Sequence, residues 1–296
     1  MVIWEAFRNG IARVWENKIL VLVLFLFKLL FAFSLLLPAY YMFSRTFSFL
    51  PSSDNFLKGY DFSLLLDFFT YWGRSIGLYR MLFVFIFLIS VVGYIFLSGG
   101  LWGGLFQHLK EGKQRFKAEK FFGDSGRYFW SFFKIFLFTC IGYLLAFILG
   151  MVIFSLIRAI AGKELSVSGH ILFFAAGLVI FAVIFMWADM WGDYLRIFRV
   201  TSEEKKLRTI LKPSLKFIFR NFGRAVLLYY LLSLILLGTL IAYFGLSKVL
   251  HFIPGDKLLI LSLFLLQQAY SLFRSFYRLV YYSSQLVLFD KLHELR

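Results

Sequence analysis

Two aspartates one helical turn apart, Asp189 and Asp193, close the apolar run HILFFAAGLVIFAVIFM in the segment WADMWGDYLRIFRV. The segment YSLFRSFYR repeats that spacing with the opposite sign, in Arg274 and Arg278. Residues four apart share a helix face, so two carboxylates could meet two guanidinium groups in bidentate contacts in a partly dry setting. The other reading is four side chains separately hydrated at the edge of an apolar layer. Lys28 stands about 10 residues, roughly 15 Å at the rise of a helix, into a further apolar run. A charge at the centre of such a run costs about 2.5 to 3.5 kcal/mol on the insertion scale. It can snorkel toward the nearer surface, make a structural contact with Gln267 and Gln268, or belong to a substrate or ion site.

Other chemistry is scarce. EEKKLR (203–208) matches the pattern of two glutamates, three intervening residues and an arginine seen in intramembrane prenyl-protein peptidases, but it sits in the most basic hydrophilic loop without accompanying histidine motifs. It is read as a chance match. His108, His170, His251 and His293 are scattered over different loops and ends, without metal-ligand spacing. Cys140 is the single cysteine, which excludes an intramolecular disulfide and a cysteine-based metal site. No glycine-rich phosphate loop is present and the serines have no evident base, so neither a cofactor nor an enzymatic activity is expected.

Charges and glycines of this kind must be positioned by membrane helices. The 296 residues are 61% hydrophobic and 16% charged, against roughly 25% charged in a soluble domain. Crossing about 30 Å of hydrocarbon takes about 20 apolar residues. Six runs reach that length, at 19–43, 80–106, 129–157, 170–193, 225–250 and 258–288. The first continues too far, without a small-residue cleavage site, to read as a removed signal. An all-α, polytopic bundle in one integral membrane domain over 1–296 is expected.

Within it, SGGLWGG places Gly99 with Gly103 and Gly100 with Gly104 at four-residue spacing, and Gly142, Ala146 and Gly150 form a similar stripe. Small residues so spaced let two backbones approach closely, which matters where no hydrophobic effect drives helices together. Close packing is the plain expectation for them; a hinge is the other.

The net charge of +16 raises the question of nucleic acid. Its placement answers otherwise. Lys and Arg number three before the first span, six in 107–128 and nine in 196–224, against four in 44–80, two in 158–169 and two in 248–257. That alternation is the positive-inside bias, which puts both termini in the cytoplasm. Clusters such as KKLRTILKPSLK suit an anionic membrane surface. The expected partner is therefore membrane lipid, anionic at the cytoplasmic face, with a further protein partner possible and no nucleic acid.

ARVWENKILVLVLF (12–25), GRYFWSFFKIFLFT (126–139) and KFIFRNFGRAVLLYY (216–230) align so that Asn17, Ser131 and Asn221 coincide. Basic and aromatic residues leading into a span predict interface helices that turn into the membrane, in three hairpin repeats. The opposite-side loop 44–79 is the longest, and its centre DFSLLLDFFTYW (61–72) is expected to lie in the interface as a short amphipathic helix, or to act as a lid. None of the four prolines, Pro38, Pro51, Pro213 and Pro254, falls in the middle of a span, so the proline-broken helices of many transporters are not signalled.

The segments FLSGGLWGG...FFGDSGRYFWSFFKIF and DYLRIFRV...SLKFIFRNFGRAVLLYYLL resemble uncharacterised six-span bacterial inner-membrane proteins, similar in layout to the membrane domain attached to some glycerophosphodiester phosphodiesterases. The likeness covers roughly 96–140 and 187–232, and it implies a six-span bundle in the bacterial plasma membrane. It transfers no catalytic residue, because the soluble phosphodiesterase domain is absent from this sequence. Two functions are carried forward: a non-catalytic interaction or assembly component of the membrane, and a transporter or lipid flippase using Lys28 and the Asp/Arg cluster.

Overall fold

The computed structural model describes residues 2–47, 77–112, 116–161, 167–202, 206–250 and 256–294. These form eight helices: α1 (Val2–Glu16), α2 (Lys18–Phe47), α3 (Gly77–Glu111), α4 (Ala118–Ala161), α5 (Val167–Thr201), α6 (Leu207–Arg220), α7 (Phe222–Leu250) and α8 (Asp256–Glu294). Among the described residues no strand occurs. Six stretches are long and apolar enough to cross a membrane: Lys18–Pro38, Met81–Lys110, Ala118–Leu156, Phe173–Thr201, Phe222–Leu250 and Leu258–His293. The chain is a six-span, all-α membrane protein. The expected interface helix at 61–72 and the glutamates of EEKKLR lie outside the described residues.

Separate short helices precede the spans in two of the three expected places. At the end of α1, the Asn17 backbone N–H and side-chain amide both donate to the Arg13 carbonyl, at 3.2 and 2.9 Å. The Asn17 carbonyl then accepts from the Leu20 N–H at 3.0 Å, in the first turn of α2. Asn221 does the same between α6 and α7. Its N–H and amide donate to Phe217 O at 3.0 and 3.1 Å, and its carbonyl accepts from the N–H groups of Arg224 and Ala225 at 3.0 and 2.9 Å. An asparagine side chain that bonds back to the preceding turn competes with the helical ladder and ends it. At the third aligned position the expectation of a separate lead-in is corrected. Ser131 lies within the uninterrupted 44-residue α4, and its hydroxyl accepts from Arg199 Nε at 2.9 Å.

Contacts group the chain into two compact units, residues 1–21 with 95–296, and residues 22–94. In the smaller unit, a Cβ built on Gly93 would lie 3.0 Å from the Phe27 ring, and Phe27 stacks toward Phe31 with ring centroids 4.6 Å apart. Lys28 is half-buried there.

The larger unit is built around the second half of α8. Residues 279–289, LVYYSSQLVLF, are buried on every side, which a helix achieves only when neighbours surround it. On one flank α1 crosses it at Gly10, where an added Cβ would meet the Ser284 backbone N at 2.9 Å. Elsewhere Trp102 of α3 stacks on Tyr282 with centroids 4.5 Å apart. Phe198 of α5 and Phe217 of α6 close on Phe289 at 4.9 and 5.0 Å.

The glycines of SGGLWGG pack as the spacing implied. A Cβ on Gly99 would lie 3.1 Å from the Ser125 Cα, one on Gly100 2.7 Å from the Phe121 carbonyl, and one on Gly103 2.7 Å from Asp124 Oδ2. Thus α3 lies directly on the first turns of α4, while Gly104 makes ordinary contact with Leu20 at 3.4 Å. Gly150 admits the Phe181 ring, at 2.5 Å from a built Cβ, and Gly177 admits Phe154 in the same way. Gly142 only touches Ala188, at 3.7 Å.

Candidate functional site

Four helices carry the polar cluster inside the larger unit. Asp189 and Asp193 project from α5, one turn apart, and the geometry gives each carboxylate oxygen its own partner. Asp189 Oδ1 accepts from the Tyr143 hydroxyl of α4 at 2.7 Å, and Oδ2 from the Tyr229 hydroxyl of α7 at 2.6 Å. Asp193 Oδ1 pairs with Arg196 Nη1 on its own helix at 2.6 Å, and Oδ2 accepts from Gln285 Nε2 of α8 at 3.3 Å. Asp193 is fully buried. Hydrogen bonds to ionised acceptors are about twice as strong as neutral ones, so the cluster fastens α4, α5, α7 and α8 at a common depth.

Arg278 approaches this cluster, close enough for its charge to act on both aspartates. Its Nε donates to the Tyr282 hydroxyl at 2.9 Å, and its guanidinium lies 4.8 Å from the Tyr282 ring centre, in cation–π range. Arg274, one turn earlier, is exposed. So the expected facing of two carboxylates by two arginines takes another form: one arginine from α8, one from α5 itself, two tyrosines and a glutamine. Gln267 is exposed and Gln268 half-buried on α8; Lys28 belongs to the smaller unit.

A shell of aromatic hydroxyls surrounds the carboxylates. The Tyr229 ring meets that of Tyr281 edge to face at 5.0 Å. Tyr281 in turn exchanges a hydrogen bond with Ser233 at 3.2 Å. Tyr277 donates to the Leu232 carbonyl at 2.7 Å, and Gly192 leaves room for Thr139, whose Oγ1 would be 2.8 Å from a Cβ there. Arg196 was within reach of sequence reasoning, since it stands three residues after Asp193. Tyr143, Tyr229 and Gln285 were not, because only the folded neighbourhood selects them from among 16 tyrosines and the other amides.

Two further ion pairs join α1 to the rest of the larger unit. Glu16 contacts His108 of α3 at 3.0 Å through Nε2, and Glu5 pairs with Lys291 of α8. The pairing with Lys291 holds the Glu5 carboxyl below its ordinary value of 4.5. Burial depresses the Arg13 guanidinium, with Asp290 and Glu16 opposing that effect. Among the described residues no three or more histidine, cysteine, aspartate or glutamate side chains gather as a metal site. Cys140 is exposed on α4.

No protein-family model, curated protein or solved structure matches the chain.

Proposed function

We propose that this protein is a non-catalytic integral membrane component of the bacterial plasma membrane, which assembles with lipid or a protein partner through its basic cytoplasmic side. One observation carries the reading. All four oxygens of the two span-embedded carboxylates are occupied by side chains of the bundle itself, Tyr143, Tyr229, Arg196 and Gln285. Intramembrane charges that move a substrate must exchange partners during the cycle. Here the bonds join four helices, as expected for groups that hold the fold together. The resemblance to six-span inner-membrane proteins is consistent with this role and brings no activity with it.

Affinity capture in mild detergent, with co-purifying lipid and protein identified by mass spectrometry, tests the proposal. A reproducible partner or lipid retained by the wild type supports it. Lipid scrambling or solute flux in reconstituted vesicles, abolished by Asp189→Asn, would replace it with the flippase or transporter reading.

The orientation rests on the charge asymmetry of the loops. In a Cys140→Ala background, Ala159→Cys should react with an impermeant thiol reagent in intact cells and Lys206→Cys should not. The reverse labelling pattern would invert the topology.

A further inference from the structure

A cleft of about 60 Å³ opens where three of the apolar spans end. Its walls come from the α1–α2 junction (Asn17, Leu20), the end of α3 (His108) and the start of α4 (Lys117, Lys120, Phe121). That volume is several times what one water needs. We propose that this cleft holds the phosphate of an anionic phospholipid headgroup.

Three independent features converge on an anion. First, Lys117 and Lys120 are both exposed at the cleft. Second, α4 begins here, and the first-turn N–H groups of a helix lack intrahelical partners and carry the positive end of its dipole. Third, His108 is buried, only 7% exposed, and its Nδ1 has no hydrogen-bond partner. Glu16 holds the opposite ring nitrogen at 3.0 Å, which fixes the ring that lines the cleft. A buried polar atom left unpaired costs about 1 to 3 kcal/mol, so the residue that lines the cleft keeps an unused hydrogen-bonding group. Asp124 also lines the cleft, but its carboxylate is turned onto the α3 glycines, 2.7 Å from where a Cβ on Gly103 would stand.

The surroundings favour a lipid over a soluble anion. Leu20, Phe116 and Phe121 give the cleft an apolar side, which suits a lipid better than a fully hydrated anion. Trp15, 62% exposed, stands two residues before Asn17 with Lys18 Nζ 4.4 Å from its ring centre. Exposed tryptophan beside lysine is the pattern of the headgroup level. The site builds on the reading of a non-transporting component only in treating the lipid as held rather than moved.

The test uses the full chain purified in mild detergent and stripped of lipid. Dioleoyl phosphatidylglycerol, dioleoyl phosphatidylcholine and glycerol 3-phosphate are each titrated, with bound lipid read by native mass spectrometry and thermal midpoint. Phosphatidylglycerol should bind and raise the midpoint, and the other two should not. Lys117→Gln/Lys120→Gln should weaken that binding on the order of 30-fold, as expected for two lysines close to an anionic group, with an unchanged midpoint in lipid-free detergent. Lys212→Gln/Lys216→Gln, the same charge loss on α6, should change it less than about threefold. Equal losses in the two variants would reduce the effect to general surface charge and overturn the site. Equal binding of glycerol 3-phosphate would overturn the lipid assignment, and a captured phosphoprotein displaced by phosphatidylglycerol only in the wild type would reassign the cleft to a protein. Flux in vesicles would sink the non-transporting reading while leaving these binding results standing.

Discussion

The two halves of α8 sit in opposite surroundings. Over 258–274 it shows exposed Leu258, Ile260, Leu261, Phe264, Leu265, Leu272 and Phe273, whereas 279–289 has every residue buried, Ser283, Ser284 and Gln285 among them. The same division runs through α7, with Leu228, Tyr229 and Leu232 buried and Leu234, Leu237, Ile241 and Phe244 exposed. It runs through α5 as well, where Met190, Tyr194, Leu195 and Ile197 are buried and Phe174, Leu178 and Val179 are exposed. In lipid an exposed leucine has nothing to gain by finding another helix, so only small residues and van der Waals fit bring helices together. Toward the basic ends, water returns and with it the hydrophobic effect. Aromatic stacking and charged hydrogen bonds concentrate in that half, and so does the specificity of the fold.

Breaking the polar cluster should give the largest effect. Asp193→Asn or Arg196→Gln should each destabilise the detergent-solubilised protein by about 3 kcal/mol, the lower end for breaking a buried pair, since Arg196 reaches the surface in part. The double variant should lose less than the sum, because groups in contact do not add. Arg274→Gln, on the exposed side, should stay within about 0.5 kcal/mol of wild type. If thermal unfolding shows the three single variants to be equal, the contrast between the halves of α8 has no energetic content.

Packing comes next. Gly100→Leu forces a side chain into the Phe121 and Ser125 backbone region and should cost about 1 to 3 kcal/mol. Gly238→Leu, on α7 where a Cβ would meet nothing within 4 Å, should be nearly neutral. An equal loss at both positions would mean that packing matters as much in the lipid half as in the other.

The smallest effect concerns pH. Glu5 is held below its ordinary value by Lys291, so its contribution to stability is present above about pH 4.5 and disappears as pH falls through the depressed folded value. With Glu5 exposed, the pair adds little. Glu5→Gln should slightly flatten the decline of the melting midpoint below pH 4.5, and a steeper decline would contradict the pairing.

Much of this architecture was legible in the residues. Run length alone places six spans, since hydrocarbon thickness sets a length that sequence must meet, and the GG spacing implies a close helix contact without naming the partner, which the structure gives as α4. Asn17 and Asn221 aligned before any geometry was known, and both prove to be junctions, while Ser131 at the same place lets α4 run through. The polar cluster was visible as two aspartates but not as a network. Which tyrosines turn toward them depends on which helices are neighbours, and that is information no single segment contains. The burial of YYSSQ was hidden for the same reason: its mixed composition reads as a half-exposed helix until α1, α3, α5 and α7 surround it.

The crossing of Gly10 over Ser284 has a consequence for the order in which the molecule is made. At about 5 to 20 residues per second of synthesis, roughly 15 to 55 seconds separate the emergence of these two positions. Throughout that interval Gly10 of α1 lacks the Ser284 backbone it packs against. The amphipathic character of α1 suits a wait on the membrane surface, where an apolar face is covered by lipid. The larger unit therefore closes last at its first helix, and a ribosome stalled before residue 284 leaves the sixth span, Leu258–His293, unfinished and the core around α8 incomplete.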